Sequence, residues 1–253
     1  MTQQLAPGDI AAGTMQAVAE STERVLRTVA ELTPEAVAEP SALPGWTRGH
    51  VLAHLARNAD SLVNLLETAR TGVQIPQYAS EDAREEGIRQ GAPRPPAEQL
   101  ADLEASAERL ARAAAALSPE NWSAELKHRF GYVFPAYEVP GKRLAELEFH
   151  HVDLAADYTP AHWPADFAGD QFARLCENLA GVELPTVELL SDDTGHRALI
   201  GAAGPVELRV EGPIRALTAW LSGRSDGDGL QVHQGDGPLA DPRTALPALP
   251  PMG

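Results

Sequence analysis

Residues 9–32 contain no proline, and Ile10, Met15, Val18, Val25, Leu26, Val29 and Leu32 fall on one rough helical face. A connector, TPEAVAEPSALPGW, breaks that pattern. Thr47 then offers an N-cap for a second helix, whose Val51, Leu52, Leu55, Ala59, Leu62, Val63 and Leu66 repeat at i, i+3, i+4 until Gly72 stops it. Leu100, Leu103, Ala107, Leu110 and Ala114 predict a third helix over 97–117, and a fourth is expected over 140–157. Between the second and third lies a long connection, TGVQIPQYASEDAREEGIRQGAPRPP, with one short helical turn expected over 81–88. Connections of that length in a compact domain are often functional. Four amphipathic helices joined in this way predict a bundle, where sites are built from side chains on facing helices.

The segment YTPAHWPADF interrupts the helical pattern with two prolines and divides the expected domains, 1–160 and 161–253. Beyond it the pattern predicts a helix over 166–179, strands over 186–190, 197–200 and 206–210, a helix over 213–221 and a strand over 230–233. The Pro-rich tail GPLADPRTALPALPPMG is expected to be loosely ordered. The fold class is therefore α+β, mainly α: a four-helix bundle followed by a small α+β domain.

Hydrophobic residues make up 43% of the 253, enough for a substantial core. The net charge of −16 argues against a broad basic face, so nucleic acid is not an expected partner. No apolar run is long enough to span a bilayer, and the opening MTQQLAPGDIAAGTM lacks the features of a secretory signal. A soluble cytoplasmic protein is expected, monomeric or a small homo-oligomer, with a small molecule as partner and no membrane contact. The single cysteine, Cys176, can form no internal disulfide; it shares an apolar line with Phe172 and Leu179 and reads as structural. A metal would have to use His, Asp or Glu, and further thiol chemistry would need sulfur from outside the chain.

Helical spacing places His50 beside His54, and Glu146 beside His150 in RLAELEFHHVDL. Two imidazoles and a carboxylate from facing helices suffice to hold a catalytic divalent metal with open positions. The competing reading is a solvated stripe of Glu146, His150, Asp153 and Asp157, next to the apolar line of Leu144, Leu147 and Leu154 with His151 beside it. Periodicity favours His54 as the inward residue and leaves His50, in the first turn, at the surface. It does not choose between His150 and His151.

The stretches LPGWTRGHVLAHLARNADSLVNLLETARTG, AELEFHHVDL and AWLSGRSDG resemble the mycothiol-dependent maleylpyruvate isomerase family, whose N-terminal part is a DinB-like metal-binding four-helix bundle. The resemblance extends over nearly the full chain. It implies a divalent metal, usually zinc, held by His54, Glu146 and His150, with mycothiol as the thiol cofactor. PQYASEDAREEGI is similar to the family's Tyr-x-x-x-x-x-Arg-Asn segment; this implies a site role for Arg84, although Glu85 stands where an asparagine often follows. An arginine suits a dicarboxylate substrate, while the alternative is a surface arginine paired with Glu81 or Glu85. In EGPIRALTAWLSGRSDG, Arg224 falls on an arginine implicated in activity, and could equally be a cation at a helix C-terminus. The implied reaction is isomerisation of maleylpyruvate to fumarylpyruvate by thiolate addition, bond rotation and elimination. Two alternatives are a mycothiol S-transferase acting on another electrophile and a non-enzymatic metal- or ligand-binding protein.

Overall fold

The computed structural model describes residues 5–235, 237–238 and 242–250. It divides into two compact units, Met1–Asp157 and Tyr158–Gly253. Among the described residues no helix is long and apolar enough to cross a membrane.

The first unit is built on four long helices: α1 (Pro7–Ala30), α3 (Arg48–Thr71), α5 (Pro96–Ala115) and α6 (Val139–Asp153). Two shorter ones, α2 (Pro34–Ala38) and α4 (Glu81–Gly91), lie in the connections. α3 is the central helix. It packs against α4, α5 and α6 and buries residues around most of its circumference, from Val51 and Leu52 to Leu65 and Leu66. Its ends are set as the sequence predicts. Thr47 accepts from the His50 amide, and Gly72 closes the helix in the left-handed conformation at φ 72°.

The expected short turn over 81–88 is a longer helix, α4. Ser80 caps it by accepting from Ala83 N at 3.0 Å, Ile88 is buried, and Gly91 brings it onto α3. The approach is close: a Cβ on Gly49 would lie 2.1 Å from Ala92 O, and one on Gly91 would lie 2.7 Å from Ala53 Cβ. The buried Gln99 amide seals this contact by donating to Gly91 O at 2.9 Å and to Gly49 O and Ala92 O, each at 3.3 Å. Together these contacts hold Arg84 on a packed helix rather than a loose loop.

The fourth predicted helix, α6, ends at Asp153, short of the expected 157, because Ala155 takes φ 51° and turns the chain. A hairpin of β1 (Glu125–Lys127) and β2 (Val133–Pro135), not foreseen from the sequence, precedes α6. It exposes Phe130, Tyr132 and Val133, with Lys142 of α6 donating to Tyr132 Oη at 3.2 Å.

In the second unit, α7 (Ala165–Leu179) and α8 (Ile214–Leu221) pack with the sheet formed by β3 (Val187–Ser191), β4 (Arg197–Ile200), β5 (Leu208–Gly212), β6 (Gln231–Gln234) and β7 (Gly237–Pro238). The strand order is β4-β3-β5-β6-β7, and among the described residues only the β3–β5 pair of strands is parallel. The core joins Phe172, Leu175, Val187, Val210, Leu217 and Trp220. Cys176 is buried in it, and burial pushes the thiol up to about 12, in keeping with a structural role. The tail is more ordered than its composition suggests. Pro242–Ala245 forms α9, and Ala245, Leu246 and Leu249 pack on the core, because these apolar side chains find a surface to cover. The rest of that tail, 239–241 and 251–253, lies outside the described residues.

Candidate metal centre

Two arginines lock α6 against α3 on either side of the candidate site. At one end Arg48 donates from Nε to Leu154 O at 2.6 Å and from Nη2 to Ala155 O at 3.0 Å, satisfying carbonyls where α6 ends. At the other, the fully buried Arg143 donates from Nη1 to Leu55 O at 2.7 Å and Asn58 Oδ1 at 2.8 Å. The pairings run in opposite senses along the two helices, so they are antiparallel neighbours. His54 and the Glu146/His150 pair face each other between these clamps.

His54 Nε2 lies 2.8 Å from Glu146 Oε2, and His150 Nε2 lies 3.3 Å from the same oxygen. One ligand atom from each of the three residues falls within 4.8 Å of the others. The imidazole rings of His54 and His150 meet edge to face, with centroids 4.7 Å apart. Asp153 Oδ2 lies 2.8 Å from His150 Nδ1, so His150 is oriented from behind. Trp46 packs its ring against His54, centroids 5.6 Å apart, and covers it from the helix start.

The electrostatics of the cluster follow from this crowding. Burial pushes His54 below the usual histidine value, against the opposing pull of Glu146. Burial also works on His150, but its hydrogen bonds to Asp153 and Glu146 prevail and raise it. For Glu146 burial acts upward, and the hydrogen bonds to His150 and His54 overcome it, holding the carboxyl well below the usual range. A third of the Glu146 side chain remains exposed, at 32%, so the cluster opens on that side. An ionised carboxylate flanked by two imidazoles, one kept neutral and one drawn to a proton, is a donor set whose proton a divalent cation can replace.

His50 departs from the surface position expected of it. It is half-buried, its Nδ1 accepts from Thr47 N at 3.2 Å, and its ring stacks on Trp46. It closes the first turn of α3 while His54 faces the cluster. His151, which periodicity could not separate from His150, is 1% exposed and turns the other way, its Nε2 2.7 Å from Thr28 Oγ1 on α1. Asp153 departs from the solvated stripe and is buried, and Glu148 on the same helix is buried too, its Oε1 paired with Arg24 Nη2 at 2.6 Å.

Arg84 is half-buried on α4, its guanidinium carbon 5.9 Å from the centroid of the Tyr78 ring and its charge felt at His54. It does not pair with Glu81 or Glu85 as a surface arginine would, since Glu81 Oε1 is taken by Arg129 Nη1 at 2.7 Å. A cavity of about 220 Å³ opens beside it, between α3 and the 77–84 segment. Arg224 belongs to the second unit. There Gly223, at φ 73°, ends α8, Arg224 N donates to Ala219 O at 2.8 Å, and Arg224 Nη1 donates to Ser222 O at 2.7 Å.

The tyrosine of the Tyr-x-x-x-x-x-Arg-Asn match is Tyr78, to which sequence reasoning gave no role, and Ser61 and His128 were not singled out. His128 stacks on Tyr132, and its value is lowered to about 4 by burial and by the neighbouring Lys142 and Arg129 charges. Its place in a hairpin, next to an aromatic residue four positions on, was the available signal.

Residues 18–155 match the family model described as the mycothiol maleylpyruvate isomerase N-terminal domain. Two solved structures match over 90% of this chain and 95% of theirs. One, described as the crystal structure of the mycothiol-dependent maleylpyruvate isomerase, is 30% identical with a TM-score of 0.83. The other, a histidine-to-alanine mutant described by the same name, is 29% identical with a TM-score of 0.82. No curated protein matches the chain.

Proposed function

This chain belongs to the mycothiol maleylpyruvate isomerase family, and we propose that it converts maleylpyruvate to fumarylpyruvate with a divalent metal and mycothiol. The observation that carries the proposal is the convergence of His54, Glu146 and His150 within 4.8 Å, at the one place where α3 and α6 are clamped on both sides. Two imidazole nitrogens and a carboxylate oxygen fit zinc and other first-row divalent ions. Bound there, the metal and mycothiol would together supply a thiolate able to add reversibly to the cis double bond and so allow rotation about it.

The protein's own part is to hold and to neutralise. Asp153 orients His150, and Trp46 keeps water from one side of His54. Arg84 takes a substrate carboxylate. The cysteine of the chain has no role, being buried with a raised thiol value.

The test is to load the purified protein with zinc and mycothiol and follow the absorbance of maleylpyruvate. Conversion to fumarylpyruvate is expected, and unchanged absorbance removes this substrate. A stable mycothiol adduct in the mass spectrum would instead assign the protein to thiol transfer.

A further inference from the structure

The face of α3 that carries His54 continues into the cavity beside Arg84. Ser61 follows His54 by two helical turns, about 10 Å along the axis at the usual rise per residue, and it lines the cavity with Asn64, Gln77, Tyr78 and Arg84. An extended dicarboxylate with one end at the metal cluster spans a comparable length. The cavity therefore lies where the far end of such a substrate would reach.

Its charges are unevenly balanced. Arg57, on the wall, pairs with Asp60 at 2.9 Å and with Asp102 at 2.7 Å, carboxylates it shares with Arg109 and Arg94. Arg84 forms no ion pair among the described residues, because on its own helix Glu81 is held by Arg129 and Glu86 by Arg89. A half-buried guanidinium without a carboxylate, set over a polar cavity, calls for an anion.

The walls are also held in place before any ligand arrives. Asn64 Nδ2 donates to Gln77 O at 3.1 Å and to Pro76 O at 3.3 Å, and Gln77 Oε1 accepts from Arg129 N at 2.8 Å. Tyr78 is thereby kept against Ser61 and Arg84, and burial keeps its phenol protonated, able to donate a hydrogen bond.

We propose that this cavity is the subsite for the distal 2-oxo-carboxylate end of the substrate, with Arg84 binding the carboxylate and the Tyr78 and Ser61 hydroxyls reading the adjoining carbonyl. The proposal rests on the isomerase reading and adds the residues that select a dicarboxylate over a monocarboxylate.

The experiment compares maleylpyruvate with its analogue carrying a methyl group in place of the distal carboxylate. Wild-type protein is expected to favour the dicarboxylate in kcat/KM by more than about tenfold; Arg84→Gln should bring the ratio close to one, chiefly through KM, whereas Tyr78→Phe, facing the carbonyl that both compounds keep, should lower kcat/KM about fivefold for each and leave the ratio as it is. An unchanged ratio in Arg84→Gln overturns the subsite while the isomerase reading stands, and wild-type kcat/KM in Tyr78→Phe overturns the hydroxyl's part in it. If wild-type protein turns over neither compound, the isomerase reading falls, and calorimetry with 2,4-dioxopentanoate, which mimics the distal half, decides the subsite. Saturable binding weakened about tenfold or more by Arg84→Gln supports it. Equal binding to both proteins, or no saturable binding, overturns it.

Discussion

Asp153 Oδ2 lies 2.8 Å from His150 Nδ1, one helical turn away, and so leaves the other ring nitrogen facing Glu146 at 3.3 Å. A histidine held in this way presents its lone pair in one direction and is a better donor to a cation. Asp153→Ala is therefore expected to weaken metal binding ten- to a hundredfold without unfolding the helix, since the Asp153 carbonyl that accepts from Ala42 N is kept. Competition with a chromogenic chelator measures this. Wild-type affinity in the variant would show that the carboxylate does not orient the ligand.

Removing a proposed ligand should abolish the site. His54→Ala, purified beside the wild type, is expected to lose its bound metal, as read by elemental mass spectrometry. It should also lose the metal-dependent rise in melting temperature, which reflects about 4 kcal/mol when free metal is a thousandfold above Kd. Full metal content in His54→Ala would overturn the assignment of the cluster.

Acid should release the metal before it unfolds the protein. His150 is drawn upward from the ordinary value of 6.5, so protons compete with the cation for its ring from that value or above as the pH falls. Metal content and activity are expected to decline together through this range, and a plot of metal content against pH checks it.

His128 gives the fold its own acid sensitivity. Its folded value is about 4, below the unfolded histidine value of about 6.5. Below about 6.5 the unfolded chain gains a proton that the folded chain refuses. Stability contributed by the neutral ring is thus complete above that value and falls as the pH drops towards 4. His128→Gln should flatten the pH dependence of urea unfolding in that window, and an unaltered slope would exclude the effect.

Gly49→Ala tests the seat of α4. The new methyl would lie 2.1 Å from Ala92 O, and a loss of about 2 kcal/mol is expected from overpacking, read by urea denaturation. Because Arg84 rides on α4, KM for the substrate should rise as well.

The four long helices of the first unit were legible because each carries its own apolar face and its own stop signals, whereas the short α2 lay in a stretch read as a connector. Thr47 and Gly72 bound α3 in sequence as they do in space. The α+β, mainly α class followed from the same signals. What could not be read was which polar residues are buried. Asp153 reads as part of a solvated stripe, and nothing local marks Glu148, Arg143 or His151 as buried, yet each has a partner that is distant in sequence or a neighbour one turn away: His150 for Asp153, Arg24 for Glu148, the α3 backbone for Arg143 and Thr28 for His151. Periodicity places a side chain on a face but does not say what lies opposite. The choice of His54 over His50 was legible for the opposite reason, since the first turn of a helix has local partners to satisfy and the second does not. The pairing of Tyr78 with Ser61 escaped notice because a tyrosine in a connection and a serine amid leucines become neighbours only after α4 folds back onto α3.

The hairpin that leads into α6 makes the rim of the cluster chemically addressable. The chain has just two lysines, Lys127 and Lys142, one on β1 and the other touching the hairpin through Tyr132. Lys142 stands one turn before Glu146 on the same helix. An amine-directed dye or cross-linker, terminal amine aside, therefore attaches only at these two side chains on one edge of the first unit, and labels there report on arrivals at the site without an engineered cysteine.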